Sequence, residues 1–155
     1  LPEVAEKNLH FKGKGSMSKF KKCDNLFRAM LKKERPLKCE ICGKSQEELR
    51  FPLSVFHILK KSTHPRLRYA QINVLLTCFA PYYWGKQCHN KYEDNRPPEI
   101  KQKIAEARGH KTYEDLENEL RALHATMPKL DIKMQEIILK QECNPLNRTK
   151  KEEVR

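Results

Sequence analysis

Apolar positions fall at helical spacing in several stretches of this 155-residue chain and alternate in one. Leu26, Phe27, Met30 and Leu31 form a stripe of helical period behind Asp24, a suitable N-cap, so a short helix is expected over 24–34, with Pro36 ending it. The segment "LSVFHI", residues 53–58, alternates instead, as a half-buried strand entering a hairpin does, and His57 stands at its end. A helical segment is expected from near Trp84 until Pro97 and Pro98, which cannot continue it. Further on, Thr112 with Asp115 approximates a capping box, and Tyr113, Leu116, Leu120, Leu123 and Met127 follow on one face until Pro128. Asp131 opens a last helix with Met134, Ile137 and Ile138 expected inward. Two such helices joined by a short turn predict a C-terminal hairpin that packs on the core or on a second copy of the chain, as a homodimer.

This pattern divides the chain into a basic flexible arm over 1–22, a motif-bearing domain over 23–96, a helical extension over 97–143 and a polar flexible tail over 144–155. Within the arm, "GKGSM" reads as a linker or cloning remnant and Met17 as a native start, which sets 1–16 outside the fold argument.

Charge narrows the partner. Hydrophobic residues make up 38% and charged ones 34%, and the formal net charge of +12 points to a polyanion, because Lys and Arg contacts to phosphates release condensed counterions. No apolar run approaches the roughly 18 residues of a membrane span, and residues 1–22 contain no apolar signal region, so neither membrane insertion nor secretion is expected. The expected location is cytoplasmic, in association with the nucleoid where the polyanion is DNA. In such a reducing compartment, metal binding is a better expectation for six cysteines than disulfides.

Cys39 and Cys42 form a C-x2-C knuckle whose two thiolates can take adjacent corners of a tetrahedron, with Gly43 free to adopt positive φ. Cys78 and Cys88 are a second pair, closed by the loop "FAPYYWGKQ". Four thiolates make a structural Zn²⁺ site with no open position, whereas Cys23 and Cys143 have no place in it. After His57 comes the basic loop "LKKSTHPRLRY", with Lys60, Lys61, Arg66 and Arg68 suited to grip phosphates. Tyr82, Tyr83 and Trp84 either stack on unpaired bases or pack around the cysteine loop.

The order C-x2-C, apolar strand ending in His, a later Asn, then C…CHN-x-K resembles the HNH branch of the His-Me finger endonucleases. Closer still is its similarity to the lambdoid phage NinG/Rap recombination proteins, through "CDNLFRAMLKKERPLKCEICGK", "THPRLRYAQINVLLTC" and a helical tail, over roughly residues 23–142. The resemblance implies an α+β fold, a small zinc-stabilised ββα-metal core with an N-terminal helix and a C-terminal helical hairpin. It also implies a metal-dependent DNA endonuclease of recombination, acting on branched DNA such as Holliday junctions or D-loops. His57 would be the general base, and His89 a ligand of a catalytic divalent cation, Mg²⁺ or another. Asn73 would orient the loop carrying His57 or complete the metal site. One departure stands out: most members carry Asp or His just before the base as a second metal ligand, and here that residue is Phe56. His64, Asn73 or Asn90 would have to substitute, an Asp at 56 would restore the pattern, and a non-catalytic zinc-containing DNA- or RNA-binding module is the alternative reading.

Overall fold

The computed structural model describes residues 18–143; the expectations for the arm and tail that concern residues 1–17 and 144–155 lie outside the described residues. Its elements in chain order are α1 (Ser18–Glu34), β1 (Ser54–His57), β2 (Val74–Thr77), α2 (Cys88–Tyr92), α3 (Pro98–Ala107), α4 (Tyr113–Thr126) and α5 (Ile132–Cys143). Single 3-10 turns occur at Gln46–Glu48, Pro65–Leu67, Gln71–Asn73 and Tyr82–Trp84. The class is mixed α+β, with one two-stranded antiparallel sheet among the described residues.

Two compact units are formed, one of residues 31–130 and one that joins residues 18–30 to 131–143. In the larger unit β1 and β2 pair in the register Ser54↔Thr77, Phe56↔Leu75, His57↔Val74. Two strands alone are barely stable in water, so the sheet depends on what covers it. All four residues of β2 are buried, and Phe56 and Leu75 join Leu53, Leu67, Ile100, Ile104, Leu116 and Leu120 in one core, together with Cys39 and Cys78. Helix α4 behaves as its pattern predicts: Thr112 Oγ1 accepts from the Asp115 amide at 3.2 Å, Leu116 and Leu120 are fully buried, and Tyr113, Leu123 and Met127 pack at the core's margin. Pro98 opens α3 at its first position, where a missing N–H is harmless.

Glu40 deals with the edge of β2. Its amide donates to Leu76 O at 2.8 Å, and its carboxylate accepts from the Leu76 amide at 2.6 Å, so the knuckle pairs with the strand as a third partner would. Arg35 (3.2 Å) and Arg108 both pair with that carboxylate, and Arg35 also donates to Val74 O at 2.9 Å and Gln71 O at 2.8 Å. Removing either charge type would leave a largely buried ion uncompensated.

In the smaller unit Cys23, Phe27, Met30 and Leu139 are buried. The thiols of Cys23 and Cys143 donate to Ile132 O and Leu26 O, each at 3.6 Å, and Glu136 bridges Lys22 and Lys140.

Three local expectations change. Helix α1 starts at Ser18 rather than Asp24, which becomes an interior residue of a longer helix. The helix expected from near Trp84 starts only at Cys88, because Gly85 takes φ +86° after the 3-10 turn and breaks the path. Met134, Ile137 and Ile138, expected inward, are 54%, 52% and 43% exposed. Leu139 is the residue of α5 that is buried, and α5 groups with residues 18–30. Periodicity locates an apolar stripe but does not say whether anything covers it.

Candidate functional site

The cysteine centre is assembled from three local devices. Gly43 at φ +82° turns the knuckle, its amide donates to Cys39 O at 2.9 Å, and the Cys39 amide donates to Lys44 O at 2.8 Å. That turn aims the Cys42 amide at Cys39 Sγ (3.4 Å), while the start of α2 aims the Cys88 amide at Cys78 Sγ (3.3 Å). The four sulfurs of Cys39, Cys42, Cys78 and Cys88 lie within 4.8 Å of one another, and Cys42 and Cys78 are 3.7 Å apart. A tetrahedron built on Zn–S bonds of about 2.3 Å has edges of about 3.8 Å, so the spacing matches this donor set's preferred cation. The four cysteines therefore form a cluster able to hold a metal ion such as zinc.

Protonation in the cluster reflects this crowding. The Cys88 thiol and the Cys42 amide donate to Cys39 and hold its pKa down to about 4, against the opposing effect of burial. Burial pushes Cys78 up to about 11, and Cys88 is pushed up because its proton is engaged by the Cys39 thiolate. Protons occupy the positions that a cation would neutralise, and metal binding at such a site releases them.

A second site adjoins the first through α2. A cavity of about 190 Å³ is lined by Phe56, His57, Lys60, Lys61, Ser62, His89 and Glu93. His57 ends β1, and its Nε2 lies 2.9 Å from Arg68 O, which can only accept, so Nε2 carries the proton and the neutral ring's lone pair is on Nδ1. His89 Nδ1 lies 2.6 Å from Ser54 Oγ, and the rings of Phe56 and Phe79 meet it edge-on at 5.5 and 5.7 Å. Burial lowers the His89 pKa below the usual imidazole value, favouring the neutral form that a cation requires; Glu93 opposes the shift and Lys61 adds to it.

Asn73 is fully buried and wholly engaged. Its Oδ1 accepts from the Leu59 amide (2.8 Å), its Nδ2 donates to Leu59 O (3.0 Å) and Leu67 O (3.4 Å), and its own carbonyl accepts from the Ile58 amide (2.7 Å). It pins both ends of the loop after His57 and has no atom left for a metal. Asn90 Oδ1 accepts from the Ala80 amide, and His64 meets His124 edge-on with ring centroids 4.9 Å apart. Neither residue lines the His57 cavity.

The cations of the loop divide. Lys60 and Lys61 line the cavity, and Lys60 is paired to Asp94, which does not line it. Arg66 instead donates to Met127 O at 3.1 Å, anchoring the end of α4, and Arg68 contributes its carbonyl to His57.

Three residues escaped the sequence reading. Glu93 follows His89 by four positions, a spacing that places both on one helical face, and it brings a carboxylate to the cavity that Phe56 does not supply. Ser54 meets His89 across the chain, with no local signal. Arg96 joins the two halves: Nη1 donates to Ile58 O (2.7 Å) and the Tyr113 hydroxyl (2.7 Å), Nη2 to His57 O and Glu93 O (3.3 Å each), and Nε to Tyr92 O (2.9 Å). It satisfies the open carbonyls at the end of α2 while its guanidinium lies 4.8 Å from the centre of the Phe56 ring.

Among the described residues no helix is long and apolar enough to cross a membrane. Comparison with protein-family models, with curated proteins and with solved structures gives no match.

Proposed function

We propose that the chain is a metal-dependent DNA endonuclease of the HNH type, acting in recombination on branched DNA, with a structural Zn²⁺ held by Cys39, Cys42, Cys78 and Cys88. The observation that carries this reading is the single cavity shared by His57, His89, Glu93, Lys60 and Lys61. The succession of two antiparallel strands and a short helix, with these histidines on β1 and α2, supports a ββα-metal core.

Each residue then has a task. His57, with Nε2 held by Arg68 O, takes a proton from the attacking water on Nδ1. Lys60 and Lys61 hold the phosphate, and Asn73 keeps the loop that carries them in place. His89 and Glu93 are the protein ligands for a divalent cation such as Mg²⁺, which commonly takes one or two protein ligands and completes its shell with water and substrate phosphate. Such a cation would stabilise charge on the phosphate and the departing oxygen.

The test is cleavage of linear, single-stranded and four-way-junction DNA with and without Mg²⁺ by wild type and His57→Ala. Cleavage by the wild type that the variant loses, with DNA affinity and zinc content retained, is the expected outcome. Equal rates would sink the catalytic reading. A second reading, a zinc-containing DNA- or RNA-binding module without catalysis, is favoured by Phe56, whose buried ring occupies the position of a family metal ligand; binding without cleavage by either protein supports that one.

A further inference from the structure

The loop between Cys78 and Cys88 carries an aromatic tip at the protein surface. Tyr83 is 92% exposed and Trp84 is 51% exposed, the two most prominent aromatic surfaces among the described residues. The side chain of Tyr82 lies outside the described residues. Beneath Trp84 the ring is braced: Phe51 meets it edge-on at 5.8 Å, and the Arg50 guanidinium lies 3.7 Å from its centroid. Gly85, at φ +86° with open space around its α-carbon, turns the chain back after the aromatic tip. Both ends of the loop are tied down. Cys78 and Cys88 belong to the cysteine cluster, the Ala80 amide donates to Asn90 Oδ1, and Phe79 packs on the His89 ring. An exposed aromatic tip on a doubly anchored loop loses little freedom when it binds, which favours a partner with flat apolar faces.

Charge says which partner. Residues 78–88 contain no acidic side chain and one lysine, Lys86, and Arg50 adds a second cation at the ring itself. Upstream, Glu47 and Glu48 are both exposed, and Glu48 accepts from the Ser45 amide at 2.9 Å. Rings interleaved with cations match unpaired nucleotides, whose bases stack on any aromatic face while the phosphates meet Lys and Arg. We infer that Tyr83, Trp84 and Arg50 form a base-stacking platform for single-stranded nucleic acid. The loop starts and ends beside His89, so a strand held there enters the cavity with an unpaired segment upstream or downstream of the phosphate. This rests on the nucleic-acid reading above and gives it a structural basis for preferring DNA with an unpaired strand, such as a D-loop, over continuous duplex.

Trp84 is the chain's single tryptophan, so its fluorescence reports this platform directly. The zinc-loaded full chain is titrated, with no other divalent cation added, with a single-stranded oligodeoxynucleotide, an oligoribonucleotide and a blunt duplex of equal length. Both single strands should quench Trp84 and the duplex should not; preference for one single strand identifies the source. Tyr83→Ala should weaken single-strand binding roughly five- to hundredfold, as loss of one stacked base does, with Tyr83→Phe restoring it. Tyr83 is so exposed that its removal leaves the core intact, and unchanged zinc content checks this. Equal quenching by duplex, or wild-type affinity in Tyr83→Ala, overturns the inference, and a tryptophan silent to all three ligands overturns it in favour of a protein partner. Cleavage plays no part in the measurement: quenching without nuclease activity keeps the platform and loses the enzyme, and cleavage with a silent tryptophan does the reverse.

Discussion

Ser54 Oγ lies 2.6 Å from His89 Nδ1 and 3.3 Å from Thr77 O, so one hydroxyl links an imidazole on α2 to both strands of the sheet. A carbonyl only accepts; with the hydroxyl proton directed at Thr77 O, Ser54 accepts from Nδ1–H and the lone pair of His89 is left on Nε2. That is the tautomer a cation needs. Ser54→Ala should therefore weaken the activity response to Mg²⁺ about 10- to 100-fold, as loss of a ligand-orienting bond does. DNA affinity should stay unchanged. An unaltered Mg²⁺ dependence in this variant would separate Ser54 from the metal.

The cysteine centre should hold one zinc per chain, and stripping it should unfold the larger unit, because Cys39 and Cys78 are also core residues around the sheet. Elemental analysis and circular dichroism before and after chelation check both halves. Folded protein without zinc, or chelated protein that keeps a cooperative melting transition, would contradict this.

These two sites differ in how much of them a reader of the sequence can see. The knuckle is visible because Cys39, Cys42 and Gly43 are chain neighbours whose geometry is local, and the second pair is visible by its chemistry. His57 is visible as a strand end, and Asn73 as a loop holder. Glu93 carries a signal, four residues after His89 on one helical face, whereas the family pattern points to position 56 on β1 for the second ligand. Ser54 and Arg96 carry none: the first acts across 35 residues and the second bonds to four separate backbone carbonyls and a hydroxyl. Long-range pairing of that kind is set by the tertiary fold and leaves no periodicity. The same limit explains α5, where the apolar stripe is real but its covering is not encoded in the spacing.

Phe56→Asp should destabilise the protein rather than repair a metal site. The ring is 1% exposed and packed among Leu53, Ile58 and Leu75, with His89 and Arg96 against it. Loss of a buried aromatic ring alone costs about 3–5 kcal/mol, and a carboxylate in its place adds a desolvation penalty that one nearby guanidinium only partly offsets. Thermal or denaturant unfolding measures this. A variant as stable as wild type, with tighter Mg²⁺ binding, would restore the sequence-based expectation.

Three histidines of the larger unit shape its stability against pH, His110 on the alkaline side and His64 and His89, both lowered first by burial, on the acid side. His110 is raised above the usual imidazole value, chiefly by its bond to Glu119 and then by donation to Arg108 O, with burial opposing and Asp115 adding slightly. Its contribution is fully present below the unfolded value of about 6.5 and is lost as pH rises through the raised one. His64 is lowered, first by burial and then by the charge of His124 and Arg121, with Glu117 opposing. It therefore resists protonation, and stability falls as pH drops from about 6.5 through the lowered value. Melting temperatures of zinc-loaded protein should pass through a shallow maximum near pH 6.5. His110→Asn should flatten the alkaline limb, and His64→Asn should make the acid limb, which His89 shares, less steep; unchanged limbs would show that these groups do not set the profile.

Arg96 should prove the most sensitive position outside the two sites. Its donors hold the end of β1, through His57 O and Ile58 O, against the end of α2, through Tyr92 O and Glu93 O, so it fixes His57, the proposed base, relative to the Glu93 carboxylate that shares its cavity. Lysine retains the charge but offers a point donor where a planar fork is required. Arg96→Lys should lose about 2 to 3 kcal/mol of stability, the contribution of one or two charge-assisted bonds. It should also lose a larger share of cleavage than of DNA binding, because misplacement of reacting groups by about 1 Å costs on the order of 100-fold in rate. The decisive comparison is between Arg96→Lys and Arg66→Lys, since Arg66 anchors the end of α4 through Met127 O and lines no part of the His57 cavity. Equal activity losses would mean that Arg96 acts through general stability; a selective loss in Arg96→Lys, at a temperature where both variants are folded, identifies it as the residue that positions the two halves of the site.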